Sequence, residues 1–184
     1  VLDVGTGLGT PIKILRKCGL RTKIIGIDIH RSYLINIQNK NKRKLYDEVI
    51  IADAAYLPFR EKSFDSIICF QVIEHLTHRA GLKMLREFHR VVKKNMLITT
   101  PVGFIEAIVD PSNPSQKHES GWLPIDFKRL GFSVKGYGGP RVKSVHSKIF
   151  PFVILLGIIL LPIFYHFPLF AYHMWCVKLS LIHI

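Results

Sequence analysis

Short apolar runs recur along the first part of the chain, and polar stretches of helical length separate them. The runs that predict strands are Val1–Val4, Lys23–Ile27, Glu48–Ala52 and Ser66–Phe70. A helix is predicted at Ser32–Asn39. Strands that alternate with helices in this way indicate βαβ units and a parallel sheet.

The middle of the chain continues the same pattern. Apolar residues at Leu82, Leu85, Phe88 and Val92 follow helical spacing, so Arg79–Val92 is predicted as an amphipathic helix. The remaining predicted elements are a strand at Asn95–Thr100, an irregular loop at Val102–Ser120, a short helix at Ile125–Leu130, and strands at Phe132–Tyr137 and Ala171–Lys178. Because so long a loop is more often functional than idle, we expect it to line an acceptor pocket.

A glycine-rich turn follows the first strand. Gly5, Gly7 and Gly9 give the spacing G-x-G-x-G, whereas the dinucleotide fingerprint is G-x-G-x-x-G. Asp3 stands two positions before the first glycine, where a carboxylate would repel a diphosphate and attract an ammonium group. The turn therefore predicts a nucleotide-like ligand that carries an amino-acid end.

Two more acidic residues end predicted strands. Asp28 lies nineteen positions after Gly9, near the ~20-residue offset at which an acid binds ribose hydroxyls. Asp53 ends the third strand. Asp28 has an alternative role as a helix cap, and Asp53 as an ordinary turn residue. Three acids at the carboxyl edge of one sheet favour a ligand site there.

Two stretches, Val1–Thr10 and Asp53–Leu76, resemble the class I S-adenosylmethionine-dependent methyltransferases. The resemblance covers roughly residues 1–137 and 171–178. It implies an α/β, Rossmann-like sheet of order 3-2-1-4-5-7-6 whose last strand is antiparallel. It also implies S-adenosyl-L-methionine as the cofactor and methyl transfer as the reaction.

The resemblance further implies which residues bind each part of the cofactor. The glycine turn and the residue after the fourth strand would bind the methionine end. The end of the second strand would bind the ribose, and the end of the third strand would bind the adenine. The implied cofactor-binding residues are Asp3, Gly5, Thr6, Gly7, Gly9, Asp28, Ile29, Asp53, Ala54 and Gln71.

No catalytic side chain is obligatory, because an activated methyl donor often needs only alignment. His75 and His118 are the candidates for a general base, and each also has a structural explanation as a loop histidine. His75 and His78 form the only close histidine pair and have no neighbouring cysteine, so no metal is predicted. The scattered cysteines indicate reduced thiols in the cytoplasm.

The C-terminal region is strongly apolar. No charged residue occurs between Ile149 and Val177, and Pro151 and Pro162 interrupt the most apolar part. We expect three parts: a cofactor-binding domain at 1–148, a membrane-prone insertion at 149–170, and the last strand with a tail at 171–184. If the last strand joins the sheet, the insertion dips into a membrane or lies on it. A buried hairpin, a dimer interface and a single-pass anchor are the alternatives.

The chain is basic, with a formal net charge of +13. Arg141, Lys143, Lys148 and Lys178 flank the apolar insertion and suit anionic headgroups. The densest cluster, Lys40–Lys44, lacks an RNA-binding motif, so nucleic acid is an unlikely partner. Because Val1 already lies in a core strand, we expect that a helical segment covering the cofactor is missing.

These observations predict a cytoplasmic, membrane-associated methyltransferase that acts on a small or lipid-like acceptor. Two alternatives remain open at this point. One is a nicotinamide-dependent oxidoreductase with a Rossmann fold, and the other is a non-catalytic, membrane-associated module of the same fold.

Overall fold

A seven-stranded sheet forms the centre of the molecule. The computed structural model describes residues 1–40, 45–107, 114–140 and 160–179. Within these ranges the strands are β1 Leu2–Val4, β2 Ile25–Asp28, β3 Glu48–Ile51, β4 Phe64–Phe70, β5 Val92–Pro101, β6 Ser133–Pro140 and β7 Ala171–Leu179. The order is β3-β2-β1-β4-β5-β7-β6, and β7 is antiparallel to both of its neighbours. The predicted fold class is confirmed.

Helices connect the strands. They are α1 Thr10–Lys17, α2 Arg31–Lys40, α3 His78–Val91, α4 Pro124–Arg129 and α5 Leu161–His166, with short 3-10 turns at Ile73–His75, Pro114–Gln116 and Pro168–Phe170. The predicted elements therefore exist, and their bounds differ from the prediction by a few residues at each end. The largest differences are of three residues: β5 begins at Val92 rather than Asn95, and β6 ends at Pro140 rather than Tyr137.

The buried face of α3 differs from the predicted one. Gly81, Leu85 and Phe88 are buried on this face, but Leu82, which was predicted to be apolar core, is 40% exposed. Gly81 takes the buried position because a Cβ there would lie 2.6 Å from Trp122 Cζ2. A residue without a side chain thus makes room for the indole, a packing relation that hydrophobic periodicity alone does not reveal.

Parallel pairing brings the carboxyl ends of β1, β2 and β4 together. Val4 at the end of β1 pairs with Ile27 of β2 and with Cys69 of β4. The amides of Gly5 and Thr6 then donate to the Ile27 carbonyl, at 2.8 and 3.0 Å. The glycine turn is therefore fixed above the end of β2, which is where a ligand site was expected.

The C-terminal region is described from residue 160 onward. Here α5 packs so closely on β6 that a Cβ at Gly136 would overlap the Phe164 carbonyl oxygen. Within the described ranges, no helix is both long and apolar enough to cross a membrane. Several predictions concern residues that lie outside the described ranges. They are residues 149–159 of the predicted insertion, its boundary at residue 148, the flanking Arg141, Lys143 and Lys148, and residues 41–44 of the basic cluster.

Candidate active site

A cavity of about 510 Å³ opens at the carboxyl edge of β1, β2 and β4. This volume lies within the range of small-molecule sites. Eight of the ten residues implied as cofactor-binding line it: Gly5, Thr6, Gly7, Asp28, Ile29, Asp53, Ala54 and Gln71. The other two, Asp3 and Gly9, lie outside the lining. Whether these residues bind a cofactor stays a prediction.

The glycine turn combines left-handed backbone with open space. Gly5, Gly7 and Gly9 have φ values of 74°, 49° and 74°. A Cβ at Gly7, which lines the cavity, would meet no atom within 4 Å, whereas a Cβ at Gly5 would overlap Val72. Beside them, the buried Thr6 hydroxyl has no hydrogen-bond partner. The turn thus leaves room for a ligand to approach the main chain.

Asp28 holds the glycine turn to the end of β2. The Gly7 amide donates to Asp28 Oδ2 at 2.9 Å, and the His30 amide donates to Oδ1 at 2.8 Å. The second hydrogen bond closes a local turn just before α2. Asp28 therefore also fulfils part of its alternative role as a helix cap. A carboxylate accepts about four hydrogen bonds in total, which leaves acceptor capacity for a diol.

Asp53 and Ala54 line the cavity just after β3, which is two strands away from β1 in the sheet. The Ala55 amide donates to Asp53 Oδ1 at 2.8 Å, and the Tyr56 amide donates to the Asp53 carbonyl at 3.0 Å. Asp53 therefore shapes a tight turn, as its alternative role requires, and it lines the cavity as well.

Asp3 lies beneath the glycine turn rather than on the cavity wall. It is 2% exposed, and the Tyr46 hydroxyl donates to its Oδ2 at 2.6 Å. Burial raises the pKa of Asp3 to about 7. Burial, together with the neighbouring Asp3, also raises the pKa of Tyr46. Sequence reasoning missed Tyr46, because no motif marks a tyrosine that comes before β3.

The charge of the cavity wall contrasts with that of the whole chain. Asp28 and Asp53 line the cavity, and its lining within the described residues contains no lysine or arginine. The chain nevertheless carries a formal charge of +13. Such a wall suits a ligand with a positive charge and hydroxyl groups, whereas its two carboxylates would repel a diphosphate.

Gln71 connects the end of β4 to the other half of the sheet. Its backbone has φ 54°, which is unusual for a residue other than glycine. Its side-chain amide donates to Thr99 Oγ1 at 3.1 Å and to the Tyr137 hydroxyl at 3.4 Å. Burial raises the pKa of Tyr137. These bonds, which sequence reasoning missed, fix Gln71 at the cavity.

The two candidate histidines lie close together, but only His75 lines the cavity. The His75 and His118 ring centroids are 4.9 Å apart. His75 lines the cavity with Ser115 and Gln116, so part of the predicted acceptor loop does return there. Burial lowers the pKa of His75. His78, the sequence neighbour of His75, turns away and packs on the Trp122 ring at 4.6 Å.

Several known proteins with similar sequences are named as methyltransferases. The family model described as "Methyltransferase domain" matches residues 2–99. A probable S-adenosylmethionine-dependent methyltransferase of Mycobacterium tuberculosis is 30% identical over 158 residues, which cover 80% of this chain and 55% of that protein. The demethylmenaquinone methyltransferase of Thermotoga maritima is 33% identical over 94 residues, 51% of this chain and 39% of that protein.

Solved structures agree on the fold. A SAM-dependent methyltransferase from Archaeoglobus fulgidus superposes with a TM-score of 0.64 at 16% identity, covering 97% of this chain and 85% of that one. The chain spans between 32% and 55% of the length of the first curated relatives it matches. With its strand order and its glycine turn, the chain belongs to the class I S-adenosylmethionine-dependent methyltransferase family.

Proposed function

We propose that this chain binds S-adenosylmethionine in the cavity and transfers its methyl group to a small organic acceptor. The observation that carries the proposal is the wall of the cavity, where an open glycine turn shares the lining with Asp28 and Asp53, and where the described lining residues include no lysine or arginine. The cofactor carries a sulfonium charge, an ammonium group and a ribose diol, and it has no phosphate. The wall and the cofactor therefore match in charge and in hydrogen-bonding groups.

Each side chain has a defined part in this proposal. Asp28 accepts hydrogen bonds from the ribose hydroxyls while it holds Gly7 in place. Asp53 and Ala54 bind the adenine edge, and the Thr6 hydroxyl gains the partner that it otherwise lacks. When bound, the cofactor supplies a methyl group on sulfur that needs no further activation. The protein then acts mainly by aligning the acceptor and excluding water.

A nicotinamide-dependent oxidoreductase is not favoured. It would need a site for a diphosphate, and the described lining offers two carboxylates instead. A non-catalytic module of the same fold differs from an enzyme only in turnover. Formation of S-adenosylhomocysteine in the presence of an acceptor separates these two.

We further propose that the acceptor is hydrophobic and that the enzyme meets it at a membrane surface. Six apolar residues in α5 and in the turn between α5 and β7 are at least 42% exposed: Leu161, Ile163, Tyr165, Phe167, Leu169 and Phe170. Because His173 at the start of β7 pairs with Pro101 at the end of β5, this apolar surface lies at the same edge of the sheet as the cavity. The Thermotoga maritima relative, a demethylmenaquinone methyltransferase, also supports a hydrophobic acceptor.

Incubation with methyl-labelled S-adenosylmethionine tests both parts of the proposal. Three acceptors are compared: a quinol in vesicles, a water-soluble catechol, and a tRNA. We expect label in the quinol and none in the tRNA, and we expect the chain to sediment with anionic vesicles. Label in the catechol alone, without sedimentation, would refute the hydrophobic acceptor and leave methyl transfer standing. The absence of label in every acceptor would count against the enzyme itself.

A further inference from the structure

Glu74, His75 and His118 bring three potential metal ligands to one place. Each offers one ligand atom, and these atoms all lie within 4.8 Å of one another. Glu74 and His75 belong to the 3-10 turn after β4, whereas His118 comes from the loop that precedes α4. The sequence-based expectation of no metal depended on His75 and His78, and the fold replaces His78 with His118.

Glu74 is an acid with an unsatisfied oxygen in the protein interior. It is 2% exposed, and the Thr100 hydroxyl donates to its Oε2 at 3.1 Å. Its Oε1 has no partner. A buried carboxylate oxygen without a hydrogen bond is costly unless a cation or another group binds it.

Both imidazoles bond a backbone carbonyl through Nδ1. The Nδ1 of His75 donates to the Lys117 carbonyl at 3.2 Å, and the Nδ1 of His118 donates to the Ile105 carbonyl at 2.6 Å. A carbonyl can only accept, so Nδ1 carries the proton and the neutral ring keeps its lone pair at Nε2. Metal-binding histidines commonly bond a backbone carbonyl in this way, which fixes the ring and its tautomer.

The loop that carries His118 is attached firmly to the turn that carries the other two residues. The Glu74 carbonyl accepts from the Glu119 amide at 2.8 Å and from the Ser120 amide at 3.1 Å. The Ser120 hydroxyl donates to the Ile73 carbonyl at 3.3 Å. The segments that carry the three side chains are therefore held together before any ligand binds, as a preorganised metal site requires.

We propose that Glu74, His75 and His118 bind one divalent transition-metal cation of the Zn²⁺ class. Two imidazoles and one carboxylate suit such a cation, whereas Mg²⁺ prefers oxygen ligands alone. Three protein ligands leave a coordination position open. Since His75 lines the cavity, a cation here would also lower the pKa of an acceptor hydroxyl that binds it. Only this last use rests on the proposed function.

Titration of the purified, metal-free chain with Co²⁺, followed by visible absorption, tests the site without any activity assay. We expect saturation at one cation per chain, displacement of Co²⁺ by Zn²⁺, and no displacement by Mg²⁺. His118→Ala and His75→Ala should each weaken binding by more than about 100-fold, since even a residue behind a ligand contributes about 10- to 100-fold. His78→Ala, which removes an imidazole three residues from His75, should bind as the unmodified chain does.

The variants also separate this proposal from the proposed function. His118 lies outside the cavity lining, so His118→Ala should keep its affinity for S-adenosylhomocysteine while it loses the metal. Because Glu74→Gln changes a buried group, the fold of this variant is checked by circular dichroism. If Glu74→Gln unfolds, the His118→Ala variant is used for the test instead. Absence of stoichiometric binding by the unmodified chain, or undiminished binding by His118→Ala, would overturn the site. A metal-binding chain with no affinity for S-adenosylhomocysteine would overturn only the proposed function.

Discussion

The two halves of the sheet build their parts of the cavity in different ways. In the half formed by β1 to β4, the groups on the wall follow directly after strand ends, and backbone geometry places them. Where the half formed by β5 to β7 meets the cavity, the contacts join residues that are far apart in the chain, such as Gln71 after β4 and Tyr137 of β6, which are 66 positions apart. The first half is encoded in local motifs, whereas the second is encoded in tertiary packing.

This difference bears on which substitutions matter for which ligand. Substitutions in the first half should change cofactor affinity or the backbone that creates the site. Substitutions in the second half should change contact with the acceptor and leave the cofactor site intact. The four predictions below test this division, beginning with the largest expected effect.

Removal of the Asp28 carboxylate should have the largest effect. Asp28→Ala loses two charge-assisted hydrogen bonds to a diol, each contributing about 1.5–3 kcal/mol, so affinity for S-adenosylhomocysteine should fall roughly 100-fold or more. Asp65→Ala is the matched control, because Asp65 is a surface carboxylate on β4 whose side chain is 63% exposed. Calorimetric titration measures both variants. Equal affinities in the two would contradict the assignment of Asp28.

Gly5→Ala should destabilise the fold by about 2–5 kcal/mol. Left-handed backbone costs an alanine about 1–2 kcal/mol, and the overlap with Val72 adds about 1–3 kcal/mol. Gly131→Ala in the second half is the control, because it also has positive φ, at 81°, but its Cβ would meet only the flexible Lys178 side chain at 3.3 Å. Urea unfolding followed by circular dichroism compares them. A loss at Gly5 no larger than that at Gly131 would refute the close packing against Val72.

The buried Asp3 should make stability depend on pH. Its pKa is about 7 in the folded chain and near 3.8 when unfolded, so the folded state holds a proton that the unfolded state releases. The contribution of Asp3 to stability is therefore complete below pH 3.8 and is lost as the pH rises through about 7. In the unmodified chain, the free energy of unfolding should therefore decline by on the order of 2–4 kcal/mol over this pH range, and Asp3→Asn, which stays neutral, should remove this decline. Unfolding free energies from pH 4 to pH 8 measure this, and an unchanged slope in Asp3→Asn would contradict it.

The exposed apolar surface should have the smallest effect on folding. Phe170→Ser removes a side chain that is 60% exposed, so the free energy of unfolding should change by less than about 0.5 kcal/mol. Sedimentation with vesicles should fall about 10-fold, because burial of a phenylalanine contributes roughly 1.5–3 kcal/mol. Leu179→Ser changes an exposed apolar residue at the opposite edge of the sheet and should leave sedimentation unchanged. Equal loss in both variants would show that the apolar surface has no special role.

Most of the fold could be predicted from the sequence, because short apolar runs and a glycine turn have local causes. The strand order came from the resemblance of Val1–Thr10 and Asp53–Leu76 to a known family, and not from periodicity. Eight of the ten predicted cofactor residues line one cavity for the same reason: strand ends in parallel register lie side by side. A motif therefore specifies this half of the site almost completely.

The remainder depends on contacts that no local pattern marks. Nothing in the spacing shows that Tyr46 donates to Asp3, or that Gly81 makes room for Trp122. His75 and His78 are close in the sequence, but the structure places His118 beside His75 instead. The hydrogen bonds from the Glu119 and Ser120 amides to the Glu74 carbonyl hold the His118 loop there. Such pairs are determined by the packing of distant segments, so a single sequence does not disclose them.

The most direct test of the central claim is calorimetric titration of the folded chain with S-adenosylhomocysteine and, separately, with NAD⁺. A cavity wall that has two carboxylates and, in the part of the chain that the structure describes, no lysine or arginine should bind the first at one site per chain and give no saturable heat with the second. Saturable binding of NAD⁺, or a cooperatively folded chain that binds neither ligand, would contradict the account.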